Sequence, residues 1–134
     1  MKFDESTIKG ETFRKFLYYC NAGDVQSDFF GHYGVDEAPH FLAMAVNGKY
    51  QKLGLAGKIF NLAVTMLRYI AQEKPPPTYI KGEASSNFSK KIYARHGFVE
   101  LFDNPFDSYK IDGKPVIANT GVHTSMTFYG LKLA

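Results

Sequence analysis

The spacing of apolar and polar positions divides the middle of the chain into strand, helix and strand. The nearly continuous apolar run His40–Val46 is typical of a strand that is buried on both faces of a parallel sheet. Apolar residues then recur at helical spacing from about Leu55 to Glu73, and three successive prolines end this helix. The segment Thr78–Ala84 alternates and predicts a second strand. This order predicts a right-handed parallel βαβ unit, in which the apolar face of the helix contains Leu55, Ile59, Leu62, Ala63, Met66 and Ile70.

The flanking segments complete the predicted architecture. A helix from about Ser6 to Asn21 and a loop over residues 27–39 lead into the first strand. After the βαβ unit we expect a helix over Phe88–His96 that ends at Gly97, then a strand over residues 98–102. A hairpin turning at Asp112-Gly113 and a strand over residues 123–133 follow. The pattern thus predicts an α/β fold with a mixed sheet, in which a parallel βαβ unit precedes a helix and antiparallel strands.

Composition narrows the class of protein. A length of 134 residues suits one domain, and the 12 Phe and 9 Tyr suit a compact aromatic core. The net charge of +3 is too mild to predict nucleic-acid binding. The sequence contains no apolar stretch that would span a membrane and no signal-peptide pattern, so we expect a soluble, cytoplasmic protein. The only cysteine, Cys20, is expected to be a small apolar residue on a helix. No metal is expected, because the spacing of His32, His96 and His123 does not suit metal ligands.

The stretch "YQKLGLAGKIF", residues 50–60, lacks an ordinary capping residue at the predicted helix start. The first backbone N–H groups of a helix have no intrahelical partner, so here they remain for water or an anion. Small residues at Gly54, Ala56 and Gly57 would let a phosphate approach, and Lys52, Lys58 and the helix dipole favour negative charge. The spacing fits neither the P-loop nor the dinucleotide fingerprint. It does match the pattern Gln/Arg-x-x-Gly-x-Gly/Ala.

The second half of the chain resembles the GNAT superfamily of acyl-CoA N-acyltransferases. In "EASSNFSKKIYARHGFVELF", residues 83–102, Tyr93 stands four residues before the pair Gly97-Phe98, as in the closing motif of that superfamily. The serine-rich helix start, the "YKIDGK" hairpin and the late "GVHTSMTFYGLKL" are similar to the arylalkylamine (dopamine-type) N-acetyltransferases. The resemblance covers about residues 25–134.

This resemblance implies acetyl-CoA as the cosubstrate and one N-acetyltransferase domain. Residues 1–39 would be a lead-in of helix and loop, and residues 40–134 would form a GNAT-like core that binds acetyl-CoA. Backbone amides after Leu53 would hold the pyrophosphate, and pantetheine would pair with the main chain where the strand at residues 40–46 diverges from the strand at residues 78–84. The implied binding residues are Met44, Val46, Gln51, Lys52, Leu53, Gly54, Leu55, Ala56, Gly57 and Lys58.

The resemblance also implies catalytic roles, each with a structural alternative. Tyr93 would return a proton to the CoA thiolate, or it is a core tyrosine. Ser85 and Ser89 match serines with catalytic or amine-orienting roles, but Ser85 or Ser86 could instead cap the helix and Ser89 could only fill space. His40 matches a histidine that relays a proton through water, or it is a satisfied structural residue. A solvated face, or a contact with the CoA 3′-phosphate, is expected of Lys90, Lys91 and Arg95.

The resemblance is incomplete at the N-terminus. The superfamily normally has two or three strands and two helices before the strand that precedes the pyrophosphate site, whereas 39 residues precede His40 here. The portion that supplies an acidic general base in the dopamine-type enzymes is therefore expected to be absent. The strand His40–Val46 would then be a sheet edge, covered by another chain, by the N-terminal helix or by the rest of a longer protein. A fragment or shortened form is the interpretation we favour.

Two functions compete at this point. The first is acetyl-CoA-dependent transfer of an acetyl group to a primary amine, with arylalkylamines as the class that the resemblance suggests. The second is a non-catalytic, truncated GNAT-like module that binds CoA weakly or pairs with another chain. The expected partners are a small-molecule amine and, along His40–Val46, a protein or a second copy of the chain. Neither nucleic acid nor a membrane is expected as a partner.

Overall fold

The computed structural model of the protein describes residues 7–72 and 76–133. The helices and strands follow in this order: α1 (Glu11–Ser27), α2 (Phe29–Tyr33), β1 (His40–Phe41), a 3-10 turn (Gly48–Tyr50), α3 (Leu55–Ile70), β2 (Tyr79–Ala84), α4 (Asn87–Arg95), β3 (Val99–Pro105), β4 (Lys110–Ile111), β5 (Lys114–Pro115) and β6 (Ser125–Lys132). None of the helices in the described part of the chain is long and apolar enough to cross a membrane.

The predicted mixed sheet is confirmed. Four strands lie in the order β1-β2-β6-β3, with β1 parallel to β2 across helix α3 and the other two pairs antiparallel. The short strands β4 and β5 form the predicted hairpin, which turns at Asp112-Gly113. The βαβ unit, the following helix and the antiparallel strands therefore stand where the sequence placed them.

The N-terminal segment is more helical than predicted. Helix α1 continues to Ser27, past the predicted end at Asn21, and the predicted loop contains the short helix α2. Helix α1 continues through Gly23, and a Cβ at this position would lie 2.4 Å from the ring of Phe128. A glycine there is therefore a requirement of close packing between helix and sheet. Helix α1 begins at Glu11 with Gly10 as its N-cap, which is later than the predicted start at about Ser6; Ser6 itself lies outside the described residues.

The prediction of a strand buried on both faces over His40–Val46 was wrong. Only His40 and Phe41 pair with β2, and the side chains of Leu42 and Met44 are 53% and 41% exposed. In the part of the chain that the structure describes, no strand lies on the other side of β1. An apolar run predicts a buried strand only if other strands lie on both sides of it. Among the described residues, β1 has a neighbouring strand on one side only.

The predicted apolar face of α3 was also wrong. The helix packs on the sheet through Phe60 and Val64, whereas Ile59, Leu62 and Met66 are about half exposed. Because α3 is apolar on two sides, helical spacing could not decide which side faces the sheet. The large ring of Phe60, which contacts other aromatic rings in the core, decides it. The helix ends at Ile70, and the predicted end at Glu73 lies outside the described residues.

Each face of the sheet has its own core. On the face covered by α3 and α4, called the α3 face, the buried residues include Phe60, Ile80, Tyr93, Phe98 and Tyr129. On the opposite face, called the α1 face, the buried residues are Tyr19, Phe106, Met126 and Phe128. Along β2, alternation sends Ile80, Gly82 and Ala84 to the α3 face and Lys81 and Glu83 to the α1 face.

The α1 face is tied to its helix by polar contacts. The ammonium group of the buried Lys81 forms an ion pair with Asp24 of α1. Cys20 lies half-buried against the α1-face core, as predicted for a small apolar residue, and burial raises the pKa of its thiol to about 12. A thiol in this state is protonated at neutral pH and is not a nucleophile.

Helix α4 begins with a capping box, which shows whether Ser85 or Ser86 caps the helix. Ser86, not Ser85, is the N-cap, and its Oγ accepts a hydrogen bond of 3.1 Å from the backbone N–H of Ser89. The backbone N–H of Ser86 in turn donates to the Ser89 hydroxyl at 3.2 Å. This reciprocal arrangement satisfies two backbone donors and fixes the turn between β2 and α4.

Replacing Tyr19 by Phe should lower the free energy of unfolding by about 1–3 kcal/mol, because the buried carbonyl oxygen of Asn104 would lose its 2.6 Å hydrogen bond. Urea denaturation measures this change. The control Tyr69→Phe removes a hydroxyl from a side chain that is 70% exposed and should change stability by less than about 0.5 kcal/mol. Equal stabilities of the two variants would contradict the described α1-face core.

Replacing Ser86 by Ala should destabilise the protein by about 0.5–2 kcal/mol, because the N-cap hydrogen bond is lost. The neighbouring Ser85→Ala is the matched control, since Ser85 is exposed and is not the cap. Thermal unfolding of both variants decides the point. A larger loss for Ser85→Ala than for Ser86→Ala would show that the capping residue has been misassigned.

Candidate functional site

The N-terminus of α3 is open, as the sequence predicted. Gly54 is the N-cap residue, with φ of 74°, and no side chain caps the helix. The first backbone bond of the helix runs from the N–H of Lys58 to the carbonyl of Gly54 at 3.2 Å. The N–H groups of Leu55, Ala56 and Gly57 therefore lack intrahelical acceptors. A Cβ at Gly54 or Gly57 would meet nothing within 4 Å, so the approach to these donors is unobstructed.

Local hydrogen bonds shape the loop that leads to these donors. The side chain of Asn47 accepts from the N–H of Lys49 at 3.0 Å and starts the 3-10 turn. The amide nitrogen of Gln51 donates to the carbonyl of Val46 at 3.0 Å and closes the loop. Gln51 is thus engaged within the loop, while Lys52 and Lys58 stay exposed beside the helix start. Two cations and a helix dipole make this end of α3 attractive to an anion.

Strands β1 and β2 separate close to this loop. Their pairing stops at Phe41 and Gly82, although β2 continues to Ala84. Pairing thus stops where the resemblance implies that the strands diverge, and the divergence itself stays a prediction. We call the unpaired region beside Glu83 and Ala84 the strand gap. Among the residues expected to bind pantetheine, Met44 is exposed and Val46 is half-buried, and both follow β1 outside the paired region.

Tyr93 lies beneath the strand gap on the α3 face. Its ring stacks on Tyr129 and contacts Phe60 and Phe98 edge-on. Its hydroxyl lies against Gly82, where a Cβ would come within 2.3 Å of the hydroxyl oxygen. Burial, and secondarily the charge of Glu83, raise the pKa of Tyr93 well above its ordinary value. The hydroxyl therefore remains protonated at neutral pH and is able to donate a proton. The ring is part of the α3-face core, and the hydroxyl lies against Gly82, the last residue of β2 that pairs with β1.

His40 and Glu83 form a hydrogen-bonded pair on the α1 face. The distance from Nε2 of His40 to Oε2 of Glu83 is 2.6 Å, and their side chains are 29% and 14% exposed. Sequence analysis named His40 but did not predict Glu83. A signal was available: Lys81 and Glu83 are two charged residues spaced for one face of a short, otherwise buried strand. Such charges require partners on that face.

The two predicted serines lie at the turn between β2 and α4. Ser85 follows β2 directly and is exposed, and Ser89 is half-buried in the capping box. The Ser89 hydroxyl thus accepts a hydrogen bond in the capping box, and its catalytic role stays a prediction. Ser85 is free of the cap.

The basic residues of α4 do not form one solvated face. Lys90 is half-buried, and its ammonium group donates to the Ser125 hydroxyl at 2.6 Å and to Asp103 at 3.3 Å, which corrects the prediction for this residue. Burial favours the protonated form of Asp103, but hydrogen bonds from Thr127, Ser125 and Lys90 outweigh it and hold the pKa of Asp103 below its ordinary value. Lys91 and Arg95 are exposed, as a solvated face requires.

His96 and His123 bond to the backbone, and His123 also lines a surface pocket. Nδ1 of His96 lies 2.8 Å from the carbonyl of Ile92, and Nδ1 of His123 accepts from the N–H of Asn87 at 3.1 Å. No group of three or more His, Cys, Asp or Glu residues within the described ranges could hold a metal ion. A surface pocket of about 520 Å³ lies between β3 and the loop before β6, and no predicted site residue lines it.

Comparisons with known proteins agree with this arrangement. The family model described as an acetyltransferase (GNAT) domain matches residues 2–115. None of the curated proteins matches the sequence. Three solved structures illustrate the likeness in fold. Arylalkylamine N-acetyltransferase 2 from Aedes aegypti has a TM-score of 0.81 at 17% identity, covering 97% of this chain and 58% of that protein.

The other two structures give similar values. A mosquito arylalkylamine N-acetyltransferase like 5b has a TM-score of 0.81 at 18% identity, with 96% of this chain and 59% of that protein covered. The Drosophila melanogaster polyamine N-acetyltransferase, which forms N-acetylagmatine, has a TM-score of 0.78 at 15% identity, with coverages of 96% and 60%. The chain thus spans 58% to 60% of the length of these relatives. Because the family model matches most of the chain and the fold agrees with it, the chain belongs to the GNAT family of acetyltransferases.

Proposed function

We propose that the chain binds acetyl-CoA and transfers its acetyl group to a primary amine. The observation that carries this proposal is that helix α3 links two features. Three N–H groups without intrahelical acceptors lie at its start, and Phe60 of the same helix packs on the ring of Tyr93, whose hydroxyl lies against Gly82. The first feature suits an anchoring phosphate, and the second brings a proton donor to the point where β1 and β2 stop pairing. Family membership supports the pairing of these two features in one reaction.

The residues at the start of α3 suit a pyrophosphate. Backbone donors at Leu55, Ala56 and Gly57 point out of the helix end, and a phosphate replaces the missing side-chain cap. Lys52 and Lys58 add positive charge at this end. The exposed segment after Phe41 offers main-chain groups to an extended ligand, since residues 42–46 take part in no strand pairing. Met44 and Val46 lie in this segment.

The residues at the strand gap suit proton transfer. When bound, acetyl-CoA supplies an acyl group that is already activated as a thioester. The amine nitrogen forms a bond to the carbonyl carbon and gives up one proton, the C–S bond breaks, and the sulfur takes a proton. Tyr93 donates this proton, since its hydroxyl is protonated at neutral pH and lies against Gly82, the last residue of β2 that pairs with β1. Ser85 lies free of the helix cap and is available to orient the amine.

We further propose a primary amine of the arylalkylamine class as the acceptor. The names of two of the solved relatives contain that class, and a third catalyses the formation of N-acetylagmatine. The 134-residue chain supplies the acetyl-CoA side of such a site. An aromatic amine such as tyramine and a cationic amine such as agmatine, assayed side by side, separate the two acceptor types.

A second candidate function is a non-catalytic module that pairs with another chain. The observation that favours it is the unpaired edge of β1, followed by the exposed side chains of Leu42 and Met44. Under this function the chain binds CoA weakly or not at all and releases no thiol from acetyl-CoA in the presence of an amine. Light scattering would then report an assembly larger than the single chain.

Replacing Gly57 by Asp should weaken the binding of acetyl-CoA at least about tenfold, because a carboxylate would occupy the open donors and repel phosphate. The same change should leave the fold intact or slightly more stable, since an acid at a helix N-terminus is favourable and a helical glycine is not. Calorimetry and thermal unfolding measure the two effects. Asn61→Asp adds the same charge one turn further along α3 and should affect binding far less. Equal weakening by both variants would argue against a phosphate at the helix start.

Replacing Tyr93 by Phe should lower the rate of amine acetylation by about a hundredfold or more while leaving acetyl-CoA binding nearly unchanged. Release of free thiol from acetyl-CoA measures the rate. Because burial raises the pKa of Tyr93 above 10.0, the wild-type rate should not fall between pH 7 and pH 9 through loss of this proton. Tyr69→Phe is the control on an exposed tyrosine. A Tyr93→Phe rate equal to that of the wild type would remove Tyr93 as the acid.

A further inference from the structure

The pairing of His40 with Glu83 is diagonal with respect to the strands. The register partner of His40 on β2 is Lys81, whereas its ring bonds to Glu83, two residues further along the parallel strand. Because both strands run toward the strand gap, this diagonal contact draws the imidazole toward the point where they separate. The ring therefore lies at the mouth of the gap on the α1 face.

The chemistry of the partner assigns the tautomer of His40. An ionised carboxylate only accepts hydrogen bonds, so Nε2, at 2.6 Å from Oε2 of Glu83, carries the ring proton. In the neutral ring the lone pair then resides on Nδ1. Among the hydrogen bonds formed within the described residues, none engages Nδ1 of His40. The side chain as a whole is 29% exposed, so the ring is partly open to solvent.

The surroundings keep Glu83 available for His40. On the same face, the ammonium group of Lys81 is paired with Asp24 of α1, and the thiol of Cys20 lies on that helix with its pKa raised by burial. On the opposite face, the hydroxyl of Tyr93 lies against Gly82, the residue before Glu83. No lysine or arginine among the described residues forms an ion pair with Glu83. Its one polar partner there is His40.

We infer that Glu83 is a positioning residue that holds His40 with Nδ1 free to accept the proton of the amine, directly or through one water. This inference rests on the proposed acetyl transfer. As the amine nitrogen bonds to the acetyl carbon, one of its protons passes to Nδ1 of His40. The proton from Tyr93 passes to sulfur as the C–S bond breaks. Exchange with solvent resets both side chains, so the net reaction moves one proton from the amine to the CoA thiol.

Nitrogen NMR of the His40 ring tests the tautomer without any need for turnover. In the full chain at mildly alkaline pH, Nε2 should carry the proton and Nδ1 should be bare. In Glu83→Gln the preference should be lost, because an amide can either accept or donate. A proton on Nδ1 in the wild-type chain, or an unchanged tautomer in Glu83→Gln, would overturn the inference.

Kinetics test the role in the reaction. Glu83→Gln should lower the rate of acetyl transfer to tyramine by about ten- to a hundredfold with acetyl-CoA binding unchanged. The double variant His40→Gln with Glu83→Gln should be no slower than His40→Gln alone, because Glu83 acts through His40. Glu100→Gln, on an exposed residue of β3, should match the wild type.

The outcomes separate the two proposals. Wild-type turnover with an equally fast Glu83→Gln would overturn the inference and leave the proposed function standing. A wild-type chain that turns over no amine would overturn the proposed function, and the proton relay would be overturned with it even if the tautomer is as assigned. A slower Glu83→Gln with a lower melting temperature than Glu100→Gln would be a folding effect and would count against the inference.

Discussion

The early separation of two parallel strands is the constraint on which the rest of the site depends. Because β1 pairs with β2 for two residues only, the backbone of β2 at Glu83 and Ala84 has no strand on that side among the described residues. This strand gap has a polar pair on one face and a tyrosine hydroxyl on the other, since alternation along β2 sends neighbouring residues to opposite faces. Longer pairing would have engaged these backbone groups and left none of them for a ligand.

Gly82 shows how closely the side chain of Tyr93 packs against β2. A side chain at this residue would collide with the Tyr93 hydroxyl, so the tyrosine can reach the strand only because β2 carries no Cβ there. The Tyr93 ring is held by three other aromatic residues, which leaves the hydroxyl little freedom. The core and the site are thus parts of one packing arrangement. A rigid core of this kind is what holds a proton donor at a defined place.

Local patterns predicted much of the fold, and their failures have physical causes. The βαβ unit, the hairpin and the helix before Gly97 follow from turn residues and periodicity, which act over a few positions. The burial of β1 and the inward face of α3 depend on which neighbours are present, and neither the apolar run His40–Val46 nor the spacing along α3 contains that information. Glu83 was missed for a related reason: its partner His40 lies 43 residues away in sequence and meets it only across the sheet.

The open helix start and the strand gap are different in kind, and their combination is informative. The N–H donors of Leu55, Ala56 and Gly57 suit an anionic group, whereas the imidazole of His40 and the hydroxyl of Tyr93 are groups that can exchange protons. Binding energy gained at a remote anchor can be used to orient the reacting atoms. A ligand with a phosphate at one end and a reactive group at the other would use both features at once. Neither an isolated phosphate nor an isolated amine would use both features.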